Sequence, residues 1–339
     1  MQRGFAVSKP LNILLAILRR ASQVLLLSLL ITFVTFLLSS MIPGDFFTLH
    51  QSDPTIQAET IALLRQQHGL DQPFYLQYAR WMRGFLHLDL GYSLYLRSSV
   101  RAVIWDAAAN TLWIGLPALL VGLGGGIFLG TLHGLHRNRL LGTVLDVTGT
   151  IALSLPSLVL GLGAIFFAVR THWFPLGSIS SPSLQSPGLL AWLLDRMHHL
   201  SLPALCLSVP ILATVERIQA AATADSLETP YIRSARARGL SSGRIFLQYL
   251  QRPALNPILS TSGPIIGSVL SGSLVLEVIF AWPGLGQMTY DALFNRDIYL
   301  LVGCVVSTGA LLLFANLAAD LLLFALDPRT RIPAGGARL

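Results

Sequence analysis

Apolar residues occur in long stretches with very few charges, and the polar residues are concentrated between these stretches. Residues 21–42, for example, contain no charged side chain. A helix needs about 20 mainly apolar residues to cross a bilayer. The pattern therefore predicts an all-α polytopic membrane protein with about six transmembrane helices. The predicted spans are residues 21–42, 110–132, 140–169, 200–215, 258–280 and 299–326, and the fourth is short unless it continues beyond Glu216.

The segment between the first two spans, residues 43–106, is far longer than an ordinary connection between helices. Asp53 and Pro54 suit an N-cap and a first helical position, and Gly69 suits the end of that helix. A second stretch with helical spacing covers residues 74–88. We predict a small helical subdomain on the external side. It serves either as a rigid cap on the helix bundle or as a docking surface for an external partner.

Small residues recur at every fourth position within the predicted spans. Gly122, Gly126 and Gly130 form the clearest series, and Gly267 with Ser271 repeats the spacing. Lipid tails are as apolar as leucine, so transmembrane helices associate by close approach at small residues. These glycines are therefore predicted to be helix contacts. Prolines also interrupt the spans, which is tolerated when neighbouring helices satisfy the freed carbonyl groups; they are Pro117, Pro156, Pro210 and Pro264.

Charge is scarce and unevenly distributed. Charged residues make up 12% of the chain, apolar residues make up 53%, and the net charge is +7. With the N-terminus placed in the cytoplasm, fifteen Lys and Arg residues fall on the inner side and eight on the outer side. Cytoplasmic loops carry such an excess. The basic balance is thus a topology signal and not a sign of nucleic-acid binding, and both termini are predicted to be cytoplasmic.

These patterns divide the chain into five predicted regions. Arg19 and Arg20 before the first apolar stretch have the layout of a secretory signal, but the stretch is too long for one, and an uncleaved first helix is expected. The regions are a cytoplasmic N-terminal segment (1–20), the first transmembrane helix (21–42), an external helical segment (43–106), a five-helix transmembrane core (107–328) that includes a cytoplasmic loop (225–252), and a cytoplasmic tail (329–339).

The residues that several enzyme classes require are missing from the sequence. Lys9 is the only lysine and does not follow a glycine-rich turn, so the chain has no nucleotide-binding P-loop. No H-E-x-x-H motif occurs, and Cys206 and Cys304 lie within predicted spans as packing residues. We therefore predict no catalytic residue, no metal site and no cofactor site in this chain.

A few acidic residues lie in or beside the predicted spans, where ionisable groups are functional candidates by default. Asp146, Glu216 and Asp320 lie near predicted span ends and are expected at the membrane interface, and Glu277 is the fourth. A secondary, ion-coupled carrier needs ionisable or unwound sites near mid-membrane. The sequence shows no convincing set of them. Such a carrier is the alternative hypothesis, and a membrane-embedded enzyme would need a catalytic cluster that the sequence does not show.

Arginines are concentrated in one short loop, TPYIRSARARGLSSGR, from Thr229 to Arg244. Thr229 suits an N-cap, Pro230 the first helical position and Gly239 a left-handed stop. We predict a short helix on the cytoplasmic side of the bilayer. Its small residues allow a groove on a partner to close around the backbone, and its arginines suit pairing with acidic groups. Contact with anionic lipids is the alternative; it explains the charge but not the capping signals at both ends.

The stretch YIRSARARGL resembles the EAA loop of binding-protein-dependent ABC transporter permeases of the dipeptide, oligopeptide and nickel class. The resemblance implies the type I ABC importer permease fold and one half of a translocation path for peptides or a similar small solute. Further motifs of this family follow in the right order along nearly the whole chain: IPGD at 42–45, GLDQPFYLQYARW at 69–81, LDLGYS at 88–93, NTL at 110–112, SLPSLVLG at 154–161, LPAL at 202–205 and EVIFAWPGLGQMTYDALFNRD at 277–297.

The resemblance also implies a set of partners. These are a second homologous permease, two cytosolic P-loop ATPases that bind the ATP and magnesium, an external solute-binding protein and the lipids of the bacterial inner membrane, with no nucleic acid. The short helix would be a coupling helix, seated in a cleft of one ATPase. Closure of the ATPase pair would push this helix and tilt the attached spans.

Some residues depart from the pattern of the family. Arg238 keeps the charge of a usual lysine, Pro230 replaces a usual acid, and Pro253 replaces a usual asparagine and is expected to kink the return helix.

Two groups of residues match functional positions of the family. The coupling-helix set is Tyr231, Arg233, Ser234, Ala235, Arg236, Ala237, Arg238, Gly239 and Leu240. The outer-loop set, in an external gate or docking loop, is Glu277, Phe280, Pro283, Gly284, Gly286, Asp291, Arg296 and Asp297.

Overall fold

The fold is almost entirely helical, as predicted. The computed structural model describes residues 9–41, 44–49, 58–135, 139–181 and 188–326. Its elements are α1 (Lys9–Met41), α2 (Phe46–Leu49), α3 (Ala58–His68), α4 (Phe74–Leu86), β1 (Tyr92–Ser93), β2 (Ser98–Ser99), α5 (Val100–Leu135), α6 (Arg139–Ser154), α7 (Ser157–Thr171), α8 (Leu189–Leu227), α9 (Pro230–Ala237), α10 (Ser242–Arg244), a π-helical segment (Ile245–Gln251), α11 (Arg252–Ser260), α12 (Ser262–Ile279), α13 (Leu285–Phe294) and α14 (Ile298–Leu326). Within the described residues, five helices are long and apolar enough to cross a membrane, or six if the bent pair α6–α7 counts as one span.

The chain forms two compact units, each built from two stretches of sequence. Unit 1 consists of Met1–Ala109 and Gly284–Leu317. Unit 2 consists of Asn110–Pro283 and Ala318–Leu339. Helix α5 therefore begins in unit 1 and continues into unit 2.

Unit 1 has two small cores that connect membrane helices to the segment between α1 and α5. In one core, Phe36 of α1 and Trp81 of α4 are buried together with Val302 of α14. In the other, Val100 at the start of α5 is buried with Leu300 of α14. The predicted external segment is thus attached to α1 and α14 by apolar contacts.

The first external helix ends where the sequence predicts. Gly69 has a φ of +66°, which is the left-handed region that glycine enters without a steric penalty. The amide of Leu70 donates to the carbonyl of Arg65 at 2.9 Å, as in a Schellman ending. The predicted helix start at Asp53 and Pro54 lies outside the described residues.

A short antiparallel hairpin follows α4 and was not predicted. It pairs Tyr92 with Ser99 and Ser93 with Ser98. Two-residue strands are too short to show the alternation that identifies a strand in a sequence. The hairpin is a tertiary feature, and its anchor is described below.

Helix α8 is the central helix of unit 2, and α6, α7, α11 and α12 pack against it. It has 39 residues, so the fourth predicted span does continue beyond Glu216. Pro203 and Pro210 lie inside α8 without ending it. Neighbouring helices satisfy carbonyl groups that prolines leave free, which is why such prolines are tolerated in a membrane.

The third predicted span is not one straight helix. Helices α6 and α7 meet at an angle of 103°. Pro156 lies between them with φ −59° and ψ 145°. Proline has no amide hydrogen and pushes the preceding residue out of the helical region. The span predicted over residues 140–169 is therefore a bent pair of helices that turns sharply at Pro156, one of the prolines predicted to interrupt the spans.

The return from the arginine loop contains a π-helical segment, Ile245–Gln251. It is followed at once by α11, whose second residue is Pro253. Pro253 cannot donate to the carbonyl four residues earlier, and a wider hydrogen-bond spacing upstream accommodates this loss. The expected kink at Pro253 thus takes the form of a π-helical segment.

The glycine series of α5 faces α8, which confirms its predicted packing role. A Cβ atom added at Gly122 would lie 2.6 Å from the side chain of Ile211. One at Gly130 would lie 2.7 Å from the Cβ of Gln219. Neither separation leaves room for a side chain, so α5 and α8 are in contact through their backbones.

Candidate functional site

The arginine loop forms the predicted short helix, α9 (Pro230–Ala237). Pro230 occupies its first position, where the missing amide hydrogen costs nothing. Thr229 has the extended backbone of an N-cap, but its hydroxyl donates to the carbonyl of Ser226 at 2.5 Å. The predicted cap position is therefore correct. The Thr229 side chain, however, makes no capping hydrogen bond to an amide of the first turn of α9.

Helix α9 ends in a complete Schellman motif. Gly239 has a φ of +72°, and its amide donates to the carbonyl of Arg236 at 2.9 Å. The amide of Leu240 donates to the carbonyl of Ala235 at 3.4 Å. These two bonds satisfy carbonyl groups at the helix end and direct the chain into α10.

One face of α9 is anchored to the transmembrane helices. Ile232 and Ala235 are fully buried, and they pack with Ile245 and Leu250 of the return segment. Leu135 and Leu227, at the ends of α5 and α8, and Leu240 are packed against the same cluster. The buried face of α9 is thus packed against the ends of α5 and α8 and against the return segment. Ala235 faces inward, which corrects its predicted place on the partner-facing surface.

The opposite face of α9 is open and cationic. Arg233 donates to the carbonyl of Glu228 at 3.4 Å, and the guanidinium of Arg238 lies 6.0 Å from the ring centroid of Tyr249. Small side chains lie among the arginines, which leaves the backbone open to close approach. The exposed members of the coupling-helix set are Tyr231, Arg233, Ser234, Arg236, Ala237, Arg238 and Gly239.

Polar side chains are buried between α5 and α8, close to the glycine series. Nδ1 of His133 lies 2.7 Å from Oε1 of Glu216, whose side chain is only 2% exposed. The amide of Gln219 donates to the hydroxyl groups of Thr131 at 3.1 Å and Thr223 at 3.3 Å. Polar side chains that face a neighbouring helix hold membrane helices together.

One prediction concerns Glu216. Its expected depth at the membrane interface stays a prediction, and the structure shows its side chain buried inside unit 2 against His133. The sequence reasoning did not identify His133, because nothing in its local sequence indicates a partner on another helix. The spacing of Glu216, Gln219 and Thr223 at i, i+3 and i+7 was the available signal of one shared helix face.

The outer-loop set is divided between the two units. Glu277, Phe280 and Pro283 belong to unit 2, and the five remaining residues belong to unit 1. Glu277 and Phe280 are buried within the structure. The structure therefore does not present this set as a single exposed surface patch.

In unit 2, the loop after α12 is held by a polar and aromatic cluster around Asn110. Asn110 donates from its side chain to the carbonyl of Pro283 at 2.9 Å, and its own carbonyl accepts from the indole of Trp282 at 2.9 Å. Arg196 donates to the side-chain oxygen of Asn110 at 2.6 Å. The Arg196 guanidinium also lies 5.0 Å from the ring centroid of Trp113, a cation–π contact that strengthens the cluster. Arg196 was not predicted.

In unit 1, Asp297 connects the hairpin to α14. Its carboxylate is 1% exposed and accepts from the hydroxyl of Ser93 at 2.7 Å and from the amide of Tyr95 at 3.0 Å. It also accepts from the amide of Leu300 at 3.1 Å, and so caps the first turn of α14. Asp297 is thus a structural anchor.

The neighbouring members of the outer-loop set have different surroundings. Arg296 has a φ of +54° and donates to the hydroxyl of Thr48 at 3.0 Å. It lines a cavity of ≈ 720 Å³, which the ion pair of Arg65 and Asp45 also lines. The hydrogen bond to Asp45 raises the pKa of Arg65 above its ordinary value. Burial raises the pKa of the Asp291 carboxyl above its ordinary range.

Replacement of Asp297 by alanine is expected to destabilise unit 1. The change leaves the Leu300 amide and the hairpin donors without their buried acceptor, at a cost of about 1–3 kcal/mol each. The midpoint of thermal unfolding in mild detergent measures the loss. Asp291→Ala is the matched control, because no side-chain hydrogen bond of Asp291 is seen among the described residues. An equal midpoint for the two variants would contradict the anchoring role of Asp297.

Nowhere in the described part of the chain do three or more His, Cys, Asp or Glu side chains form a group that could hold a metal ion. The two cysteines, Cys206 and Cys304, are both buried and unbridged. The candidate functional features are thus the cationic face of α9 and the two parts of the outer loop, one held by Asn110 in unit 2 and the other by Asp297 in unit 1.

Comparisons with known proteins show similarity along most of the chain. The profile of the family described as "Binding-protein-dependent transport system inner membrane component" matches residues 122–332, and that of "Binding-prot-dependent transport system membrane comp, N-term" matches residues 13–112. The oligopeptide transport system permease protein AppB of Bacillus subtilis (strain 168) is 32% identical over 315 residues, which cover 92% of this chain and 98% of AppB. The dipeptide transport system permease protein DppB of Escherichia coli (strain K12) is 32% identical over 336 residues, which cover 93% of this chain and 98% of DppB.

Proposed function

Since the chain belongs to the family of binding-protein-dependent transport system inner membrane components, we propose that it is the translocation subunit of an ATP-driven importer of peptides. It is a multi-pass inner-membrane protein. Peptides are the favoured substrate class because the similar proteins of B. subtilis and E. coli are named for oligopeptide and dipeptide transport. The chain provides one half of the translocation path, and a second homologous permease provides the other half.

The anchored α9 supports this proposal most strongly. A helix of eight residues is too short to be stable alone in water, yet here it is capped at its end and fixed by Ile232 and Ala235. Its free face presents arginines around small residues. Arginine pairs with carboxylates through two parallel hydrogen bonds, so an acidic cleft in an ATPase subunit is the complementary surface.

The coupling step then follows from the packing. When two ATPases bind ATP and close, the cleft moves α9, and α9 carries the ends of α5, α8 and the return segment with it. The glycine contacts and the His133–Glu216 pair keep α5 and α8 together during that motion. A rigid-body tilt of these helices exposes the path alternately to the two sides of the membrane.

The remaining partners and the orientation follow from the same proposal. Both termini and α9 lie on the cytoplasmic side, in agreement with the excess of Lys and Arg in those segments. ATP and magnesium belong to the ATPase partners, because this sequence has no P-loop. An external solute-binding protein delivers the peptide, and the members of the outer-loop set that are not buried, Pro283, Asp291 and Arg296, serve as gate or docking contacts.

Co-purification of the tagged full-length chain from its own membranes in mild detergent tests this proposal. We expect a P-loop ATPase and a second permease to be recovered with it. In the double variant Arg233→Glu/Arg236→Glu, ATPase recovery is expected to fall about tenfold or more, because reversing interfacial charges costs several kcal/mol. The second permease should be retained.

The matched control is Arg101→Glu, which reverses an exposed arginine in the first turn of α5, outside the cationic face. This variant should retain both partners. Recovery of the chain alone, under conditions in which a related ABC importer stays assembled, would instead favour a secondary carrier. Retention of the ATPase by the double variant would place the coupling contact elsewhere.

A further inference from the structure

Helix α4 is attached to α1 inside the apolar part of α1 and not at its end. The ring centroids of Phe33 and Tyr78 are 5.4 Å apart, and those of Phe36 and Trp81 are 5.9 Å apart. The hydroxyl of Tyr78 donates to the backbone carbonyl of Leu29 at 3.2 Å. This bond places the middle of α4 beside the middle of the predicted first span.

The depth of this contact follows from helix geometry. Helix α1 ends at Met41, and an α-helix rises about 1.5 Å per residue. Phe36 and Phe33 therefore lie about 8 and 12 Å before the end of the helix, and Leu29 lies about 18 Å before it. The hydrocarbon core of a bilayer is about 30 Å thick. With Met41 at the membrane boundary, the two ring contacts thus fall within one leaflet, which is about 15 Å thick, and the Leu29 carbonyl lies close to the bilayer midplane.

The surface of α1 at the same depth is open and apolar. Leu30 is 57% exposed, Val34 39% and Leu38 56%. These side chains are the ordinary lipid-facing surface of a transmembrane helix. Because α4 lies beside them, its own outward surface is continuous with a surface that lipid already covers.

Helix α3, by contrast, is held beyond the end of α1. Arg65 of α3 donates to Asp45 at 2.6 and 2.9 Å, and Asp45 follows Met41 in the chain. Leu63 of α3 is 59% exposed. Helix α3 is therefore attached to the segment after α1, whereas α4 is attached to α1 itself.

Helix α4 has three distinct faces. Its buried face, with Tyr78 and Trp81, is in contact with α1. At 3.6 residues per turn, Tyr75 and Leu86 share one flank, and they are 57% and 74% exposed. Arg80 lies on the opposite flank and donates to Gln72, in the turn after α3, at 2.8 Å.

We propose that α4 is an interfacial membrane helix, with the flank of Tyr75 and Leu86 against the acyl chains of the leaflet at the Met41 end of α1. The flank of Arg80 faces the anionic headgroups. Interfacial helices bury an apolar face about 5–10 Å into the boundary of headgroups and acyl chains, and the contact of Trp81 with Phe36, about 8 Å before the end of α1, lies within that range. Arginines near the surface are attracted to anionic lipid phosphates.

Aromatic residues around α4 agree with this position. Tyr92 in the hairpin is 47% exposed, and Trp105 near the start of α5 is 79% exposed. Tyrosine and tryptophan are enriched at the headgroup level of membrane proteins, where their rings are partly apolar and partly polar. This inference goes beyond the proposed transport function and does not depend on it. A membrane position of α4 would leave the α3 side of the segment between α1 and α5 as the surface for any soluble external partner.

Spin-label accessibility in the full-length chain tests the proposal. The chain is reconstituted into nanodiscs of phosphatidylethanolamine and phosphatidylglycerol, and a nitroxide is attached at Leu86→Cys or, independently, at Tyr75→Cys. Leu63→Cys is the matched control, since it is also an exposed leucine on an external helix. Both native cysteines are buried and are replaced by serine only if they react.

We expect the labels at positions 86 and 75 to collide more often with oxygen, which concentrates in lipid, than with a water-soluble nickel chelate. The control label at position 63 should show the reverse preference. Preference for the nickel chelate at both 86 and 75 would overturn the proposal. Protection of both positions from both reagents would also overturn it, since this result would indicate a covering protein surface. Tyr75 and Leu86 are exposed, so either label leaves the buried core of unit 1 intact.

Discussion

Gly130→Leu is expected to prevent the stable assembly of α5 with α8. A Cβ atom at Gly130 would lie 2.7 Å from the Cβ of Gln219, and it would also meet the backbone carbonyl oxygen of Glu216. Backbone atoms cannot rotate away as a side chain can, so the two helices must separate. Overpacking of this kind costs about 1–3 kcal/mol and at times more. Separation also breaks the hydrogen bond between Gln219 and Thr131, so the combined loss is a large part of a typical stability of about 5–15 kcal/mol.

The measurement is the yield of monodisperse protein after extraction in mild detergent, followed by its thermal unfolding midpoint. We expect little monodisperse Gly130→Leu protein and a clearly lower midpoint for what remains. Gly124→Leu is the matched control on the same helix, because a Cβ at Gly124 meets nothing within 4 Å. Equal yield and midpoint for the two variants would show that α5 and α8 do not depend on close contact at Gly130.

Gly239→Val is expected to uncouple transport while the chain still inserts into the membrane. Gly239 adopts a φ of +72°, which a β-branched residue enters only with strain of about 1–3 kcal/mol. Relief of that strain requires breaking the Schellman motif, in which the Leu240 amide donates to the Ala235 carbonyl. Without this motif α9 loses its fixed end, and the packing of its Ile232 and Ala235 against Ile245 and Leu250 changes. Substrate uptake into cells or proteoliposomes is expected to fall at least about tenfold. A tenfold fall corresponds to a loss of about 1.4 kcal/mol in the free energy of coupling.

Two matched variants separate backbone strain from the effect of bulk. Gly243→Val adds the same side chain nearby at a position with open space and without a left-handed backbone, and it should transport normally. Gly239→Asn keeps a residue that tolerates the left-handed region, and it should retain most of the activity. Normal uptake by Gly239→Val would count against α9 as the coupling element. Loss of membrane insertion in that variant would show that the loop is needed for folding instead.

Local signals in the sequence were sufficient for the helical elements with clear ends. Pro230 and Gly239 mark the ends of α9 because they act on their own backbone, through a missing amide hydrogen at one end and a left-handed conformation at the other. Gly69 acts in the same way at the end of α3. Pro253 was correctly expected to disturb the return helix, although the form of the disturbance, a π-helical segment, depends on how the neighbouring helices fill the space.

Local sequence signals were insufficient to predict contacts between residues that are far apart in the chain. Glu216 was assigned to the interface because it ends an apolar run, but its partner His133 lies 83 residues away. Asp297 was assigned to an external gate, yet it anchors Ser93, which lies 204 residues away. No local pattern identifies such a partner, since hydrogen bonds between elements depend on which faces the fold brings together.

The sequence by itself determined the class of the protein, the approximate number of its spans, the presence of α9 and the small residues of α5. These features depend on the length of apolar stretches and on the backbone preferences of single residues, both of which act over a few positions. Only the tertiary structure decided that Ala235 faces inward, that the third span bends by 103° and that α4 lies beside the middle of α1. These features depend on side-chain packing between elements far apart in sequence, where the same apolar residue suits a lipid-facing surface and a protein core equally well.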